Sequence, residues 1–93
     1  MINCVVEMWG FAREVSGIQQ VEISLDDDAV MKDALRELRK RVPALDGTVI
    51  EKEEDKLDDS SAFNVNGQFY DGGDTVKLHD GDRIRLLTMA TGG

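Results

Sequence analysis

The sequence predicts a two-layer α+β domain, a mixed sheet of about five strands packed on one main helix. Three observations carry that expectation. Strand-like runs occupy both ends of the chain, one helical stripe separates them, and an Asn-Gly hairpin signal lies in the second group. A length of 93 residues allows one domain with one modest core. Apolar content of 41% beside 32% charged residues is globular rather than disordered.

The first strand is read in INCVVEMW, Ile2 to Trp9. Ile2, Cys4, Val6 and Met8 share one face, and Asn3, Val5, Glu7 and Trp9 the other. GFAREVSG, flanked by Gly10 and Gly17, breaks the alternation and is expected to be a loop of about eight residues. IQQVEISL resumes it, with Val21, Ile23 and Leu25 spaced by two, so the two runs form a hairpin.

The helix follows. Val30, Met31, Ala34, Leu35, Leu38 and Val42 make one apolar stripe from Ala29 to Val42. Asp28 is the expected N-cap, and Asp26 to Asp28 suit the positive end of the helix dipole. Arg39, Lys40 and Arg41 suit the opposite end, and Pro43 stops the helix near Val42. Leu35 and Leu38 are expected to supply the seam with the sheet.

ALDGTVIEKEEDKLDDSS, residues 44–61, in which 51–59 hold six acids against two lysines, reads as a solvated loop with one helical turn around Val49 to Lys52. The segment lacks the ligand spacing and central glycine of a calcium loop. AFNVNGQFY is a hairpin turning at Asn66-Gly67, two residues that tolerate positive φ. DGGDTVKLHDGD is turn-rich, with Asp80-Gly81 as its last tight turn and His79 as a solvated turn residue.

DRIRLLTM is the last strand. Ile84, Leu86 and Thr88 point one way, and Arg83, Arg85, Leu87 and Met89 the other. Two large apolar side chains beside two arginines suggest a docking surface, which Trp9 of the first strand can join. The first and last strands are expected near the centre of the sheet.

Composition narrows the partners. The net charge is −8 and the pI near 4.4. Phosphate backbones and anionic lipid repel such a domain, so neither nucleic acid nor a membrane surface is expected, while a protein with a basic face is favoured. No apolar run approaches the roughly 20 residues that span a bilayer, and MINCVVEMWG lacks the features of a signal peptide. A cytoplasmic location is therefore expected. Cys4 is the only cysteine, which excludes an internal disulfide and a cysteine-held cluster or zinc. It is expected in the core. No bound metal or cofactor is expected.

Four pieces then occur in order: MWGFAREVSG, VEISL, VNG at Val65 to Gly67 with LHDGDRI at Leu78 to Ile84, and ATGG at the end. In these the chain resembles the MoaD/ThiS family of sulfur carriers, which share the β-grasp fold with ubiquitin. Its length is closest to the molybdopterin synthase small subunit and the small archaeal ubiquitin-like modifiers. Ferredoxins share the fold too, but one cysteine cannot hold their cluster.

The resemblance implies a β-grasp domain over residues 1–89 and a flexible tail over 90–93. It implies a carrier rather than an enzyme. An E1-like adenylating enzyme of the MoeB/ThiF kind would use ATP and Mg to activate Gly93, and a persulfide would turn it into a thiocarboxylate. Gly92 would thread the partner's channel, because glycine has no Cβ to clash there. The acceptor would be an enzyme such as the molybdopterin synthase large subunit. Leu87, Met89 and Trp9 are the docking candidates, Leu87 first, with Arg85 and Arg83 orienting the partner. The alternatives are a protein modifier joined to lysines through Gly93, a carrier for thiamine, cysteine or tRNA thiolation, and a β-grasp interaction domain without terminal chemistry.

Overall fold

A computed structural model describes residues 1–70 and 75–88 of the chain. Five strands form one sheet: β1 (Ile2–Met8), β2 (Gln20–Leu25), β3 (Ser61–Val65), β4 (Gln68–Tyr70) and β5 (Arg83–Thr88). Two helices interrupt them, α1 (Phe11–Ser16) and α2 (Met31–Arg41), with a 3-10 turn at Pro43–Leu45. The strand order is β2-β1-β5-β3-β4. β5 runs parallel to β1 and antiparallel to β3, so the first and last strands meet inside the sheet as expected.

The alternation of each strand decides which side α2 covers. Ile2, Cys4, Val6 and Met8 of β1 are buried, as are Ile84 and Leu86 of β5. Met31, Ala34, Leu35 and Leu38 of α2 join the same cluster. On β3, Phe63 turns into this core and stacks on Tyr70 of β4, ring centroids 5.7 Å apart. The result is a two-layer β-grasp, with one face of the sheet under α2 and the other, the open face, without a helix over it among the described residues.

Three expectations change. The stretch between β1 and β2 is no plain loop but contains α1. Its first N–H groups, of Ala12 and Arg13, donate to the carbonyls of Trp9 and Gly10, and Ala12 is buried. Gly17 ends it at φ 73°, a left-handed value glycine adopts without strain, and donates to the Arg13 carbonyl at 2.9 Å. A six-residue helix is too short for helical periodicity to register.

The start of α2 is displaced. Its N-cap is Val30, not Asp28. Val30 bridges Lys77, the Met31 N–H donates to the Val76 carbonyl at 2.8 Å, and Leu78 N–H donates to Ala29. This pairing holds the chain extended until Val30. Asp33 then accepts the Val30 N–H at 2.9 Å, while Asp28 stays exposed 3.6 Å from Lys77.

The segment after α2 is only partly solvated. The local turn lies at Pro43–Leu45 rather than Val49 to Lys52. The Leu45 carbonyl gathers the N–H groups of Thr48, Val49 and Ile50, and Val49 and Ile50 are fully buried. Asp55 ties the acidic stretch to α2, accepting from Arg36 at 2.9 Å and from Arg39 at 2.8 Å.

The hairpin turn is as read. Asn66 has φ 51° and Gly67 φ 96°, both in the region a type I′ turn demands. Asp82 is buried and fastens this turn to the one before β5. Asn66 donates its side-chain amide to Asp82 Oδ1 at 2.8 Å, and the His79 N–H donates to Oδ2 at 2.8 Å. Among the described residues no helix is long and apolar enough to cross a membrane.

Candidate functional site

The open face of the sheet is built by the residues that alternation turns away from α2. Strand register places Gln20, Glu7, Arg85, Asn64 and Phe69 in one transverse row across all five strands. Asn64 in the middle is buried, its Oδ1 accepting the Gly67 N–H at 2.7 Å. Leu87 lies one step further along, opposite Ala62, and is half-buried. The Trp9 N–H donates to the Leu86 carbonyl at 3.0 Å. That bond carries the β1–β5 ladder one residue beyond β1, to the level of Leu87.

Glu7 gathers the polar groups of this face. Its carboxylate accepts from Arg83 Nη1 at 2.6 Å and from the Trp9 indole N–H at 3.2 Å, and Arg85 Nε lies 3.4 Å away. The Arg85 guanidinium sits over the Trp9 ring, 5.8 Å from its centroid, within cation–π range. The hydrogen bond from Arg83 holds the Glu7 carboxyl below the usual glutamate value, with the Trp9 indole and the Arg85 charge acting in the same direction.

Trp9, Arg85 and Leu87, read from sequence as docking candidates, thus share one face, and Arg83 joins them. Met89, Gly92 and Gly93 lie outside the described residues. Sequence reasoning missed two members. Phe69 is 64% exposed at the far end of the row. A two-residue turn at Asn66-Gly67 pairs Asn64 with Phe69, so the hairpin signal itself implied that they share a face. Glu7 was legible as a residue of this face, but its partners come from another strand.

Groups elsewhere serve the fold. Cys4 is buried, which pushes its thiol up, and its Sγ donates to the His79 carbonyl at 3.6 Å. The His79 side chain is exposed. Among the described residues no group of three or more His, Cys, Asp or Glu side chains is placed to hold a metal ion.

The sequence model of the ThiS family matches residues 6–93. The crystal structure of SAMP1 from Haloferax volcanii superposes with a TM-score of 0.86 at 26% identity, covering 98% of this chain and 99% of that one. The small archaeal modifier protein 1 of Methanosarcina acetivorans gives 0.76 at 28% identity, covering 100% and 98%. A putative molybdopterin converting factor subunit 1 from Pyrococcus furiosus gives 0.75 at 22% identity, covering 97% and 100%, a likeness of fold. No curated protein matches the chain in sequence.

Proposed function

The chain belongs to the ThiS family of ubiquitin-like sulfur carriers, and from that premise we propose that it carries sulfur as a thiocarboxylate on Gly93 for molybdopterin synthesis. The observation that supports this reading is the reach of the family match, which runs through Gly92 to Gly93.

The chemistry follows from the carboxylate. A carboxylate is a stabilised anion and resists nucleophiles. Its oxygen attacks the α-phosphorus of ATP, pyrophosphate leaves, and the mixed anhydride that results has AMP as a good leaving group. The outer sulfur of a persulfide donor then attacks the carbonyl and displaces AMP, giving an acyl disulfide. A second thiol of the donor attacks the inner sulfur, the S–S bond breaks, the donor is left as a disulfide, and the thiocarboxylate is released on Gly93. The carrier contributes no acid, base or metal to these steps. An E1-like adenylating enzyme holds ATP and Mg, and a second enzyme, of the molybdopterin synthase large-subunit kind, takes the sulfur. Residues 90–93 act as the tail that visits both, with Gly92 threading each channel. The open face carrying Leu87, Trp9, Arg85 and Phe69 docks, and Met89, which follows the last strand in sequence, takes part in docking. The cycle runs in the cytoplasm.

Intact-mass analysis of the protein from its native cell tests this. The expected result is a species ending at Gly93 and heavier by the difference between sulfur and oxygen. Oxidation of any of the four methionines mimics that shift, so fragmentation must place it on Gly93. A chain that ends elsewhere, or never carries sulfur there, overturns the reading.

A second reading is favoured by the likeness to a small archaeal modifier protein at 28% identity. In it the activated Gly93 is captured by lysines of other proteins. Immunoblots of the source cell separate the two. A ladder of adducts lost on deleting Gly92 and Gly93 supports the modifier, and a single free species supports the carrier.

A further inference from the structure

We propose that Glu7 is the positioning residue of a clasp, made with Trp9, Arg83 and Arg85, that recognises a carboxylate beside a flat apolar slot on the adenylating enzyme. The inference rests on the carrier reading and names the chemistry of its first partner.

Glu7 reaches across from β1 to β5 and uses both carboxylate oxygens. Oε2 takes Arg83; Oε1 takes the Trp9 indole and faces Arg85. Three long side chains are thereby held before any partner arrives. Ordering such side chains on association costs affinity, so fixing them beforehand strengthens binding without a new contact. Glu7 itself is mostly covered, its side chain 15% exposed, while Arg83 and Arg85 remain 52% and 43% exposed. A partner therefore meets the guanidinium edges and the Trp9 ring, not the acid that holds them.

Charge identifies what fits. Two guanidinium groups against one carboxylate leave one positive charge here, on a chain of net charge −8. Among the described residues the next acid on this face, Glu22, sits opposite Val5, and Val5 opposite Arg83. Two strand spacings separate Glu22 from Arg83, about 10 Å. Among the described residues only the Nε side of Arg85 faces an acid, Glu7. A carboxylate on the partner can take the guanidinium's outer edge in a two-pronged hydrogen bond, and the exposed Trp9 ring offers a flat apolar surface beside it. Position identifies the occupant. β5 carries both arginines, and Gly93 follows its last residue, Thr88, by five positions in sequence, at most about 18 Å of extended chain, so an enzyme that takes up Gly93 works within reach of this face.

The test uses the full chain and the adenylating enzyme of the same cell, with pyrophosphate release measured against carrier concentration. Arg85→Glu is expected to raise KM about tenfold or more, with the loss in KM rather than kcat, because it sets like charges together. An acid-to-arginine change in the enzyme's rim should recover the loss. Glu7→Gln keeps the shape but releases the clasp, so KM is expected to rise by about threefold. Its fluorescence should also shift, which is readable because Trp9 is the sole tryptophan. Wild-type KM for both variants while Gly93 is still adenylated overturns the clasp and leaves the carrier reading standing. A wild-type chain that the enzyme neither binds nor adenylates overturns both.

Discussion

Glu7 and Leu38 show how differently single side chains act here. Glu7's folded-state value lies below the ordinary glutamate value of about 4.3. Its contribution is therefore complete above that value and is lost as pH falls through the lower, folded value. Trp9 fluorescence should report this as a transition in the folded protein, and Glu7→Gln should abolish it. Leu38 is fully buried in the core cluster. Leu38→Ala is expected to cost about 2–5 kcal/mol in denaturant unfolding, since a cavity is left where the seam was. Leu87 stands half-buried on the open face. Leu87→Ala should cost about 1 kcal/mol or less and show its main effect in partner binding.

Two pairs of segments depend on single buried or half-buried acids. Asp82 takes Asn66 from the β3–β4 turn and the His79 N–H from the turn before β5. Asn66 Oδ1 in return accepts the Arg83 N–H at 2.9 Å, so the Asn-Gly turn and the Asp-Gly-Asp segment exchange side-chain hydrogen bonds. Asp82→Ala would strand two donors, at about 1–3 kcal/mol, whereas His79→Ala should be nearly silent because that ring is exposed. Asp55 plays the same part for the acidic stretch, taking Arg36 and Arg39 of α2. Asp55→Ala is expected to speed amide hydrogen exchange across residues 51–58 while the strands keep their protection.

Over the molecule as a whole, 19 acids against 11 basic residues make the folded state repel itself. Salt screens charges over about 10 Å at 0.1 M, so Tm should rise with sodium chloride. The same salt should weaken association through Arg85. Opposite signs for folding and docking would separate the diffuse charge of the chain from the local charge of the open face. Deleting Gly92 and Gly93 should abolish adenylation and leave Tm unchanged, because neither residue carries a side chain to bury.

Periodicity is a local property, and what it governs could be read directly from the chain: the strands, the apolar stripe of α2, the Asn66-Gly67 turn, and the face on which Trp9, Arg85 and Leu87 stand. The diglycine was legible as a motif, and the match over residues 6–93 includes it. Other features needed distant segments to meet. The start of α2 moved because residues 76–78 pair with Ala29 to Met31. Asp55, one acid among six, became an anchor because α2 passes beside it. Glu7 became the centre of the open face because a parallel neighbour almost 80 positions away in sequence brings Arg83 and Arg85 into register. Spacing along the chain sets which way a side chain points; strand order and register, chosen by burial of the shared core, set which polar groups it meets.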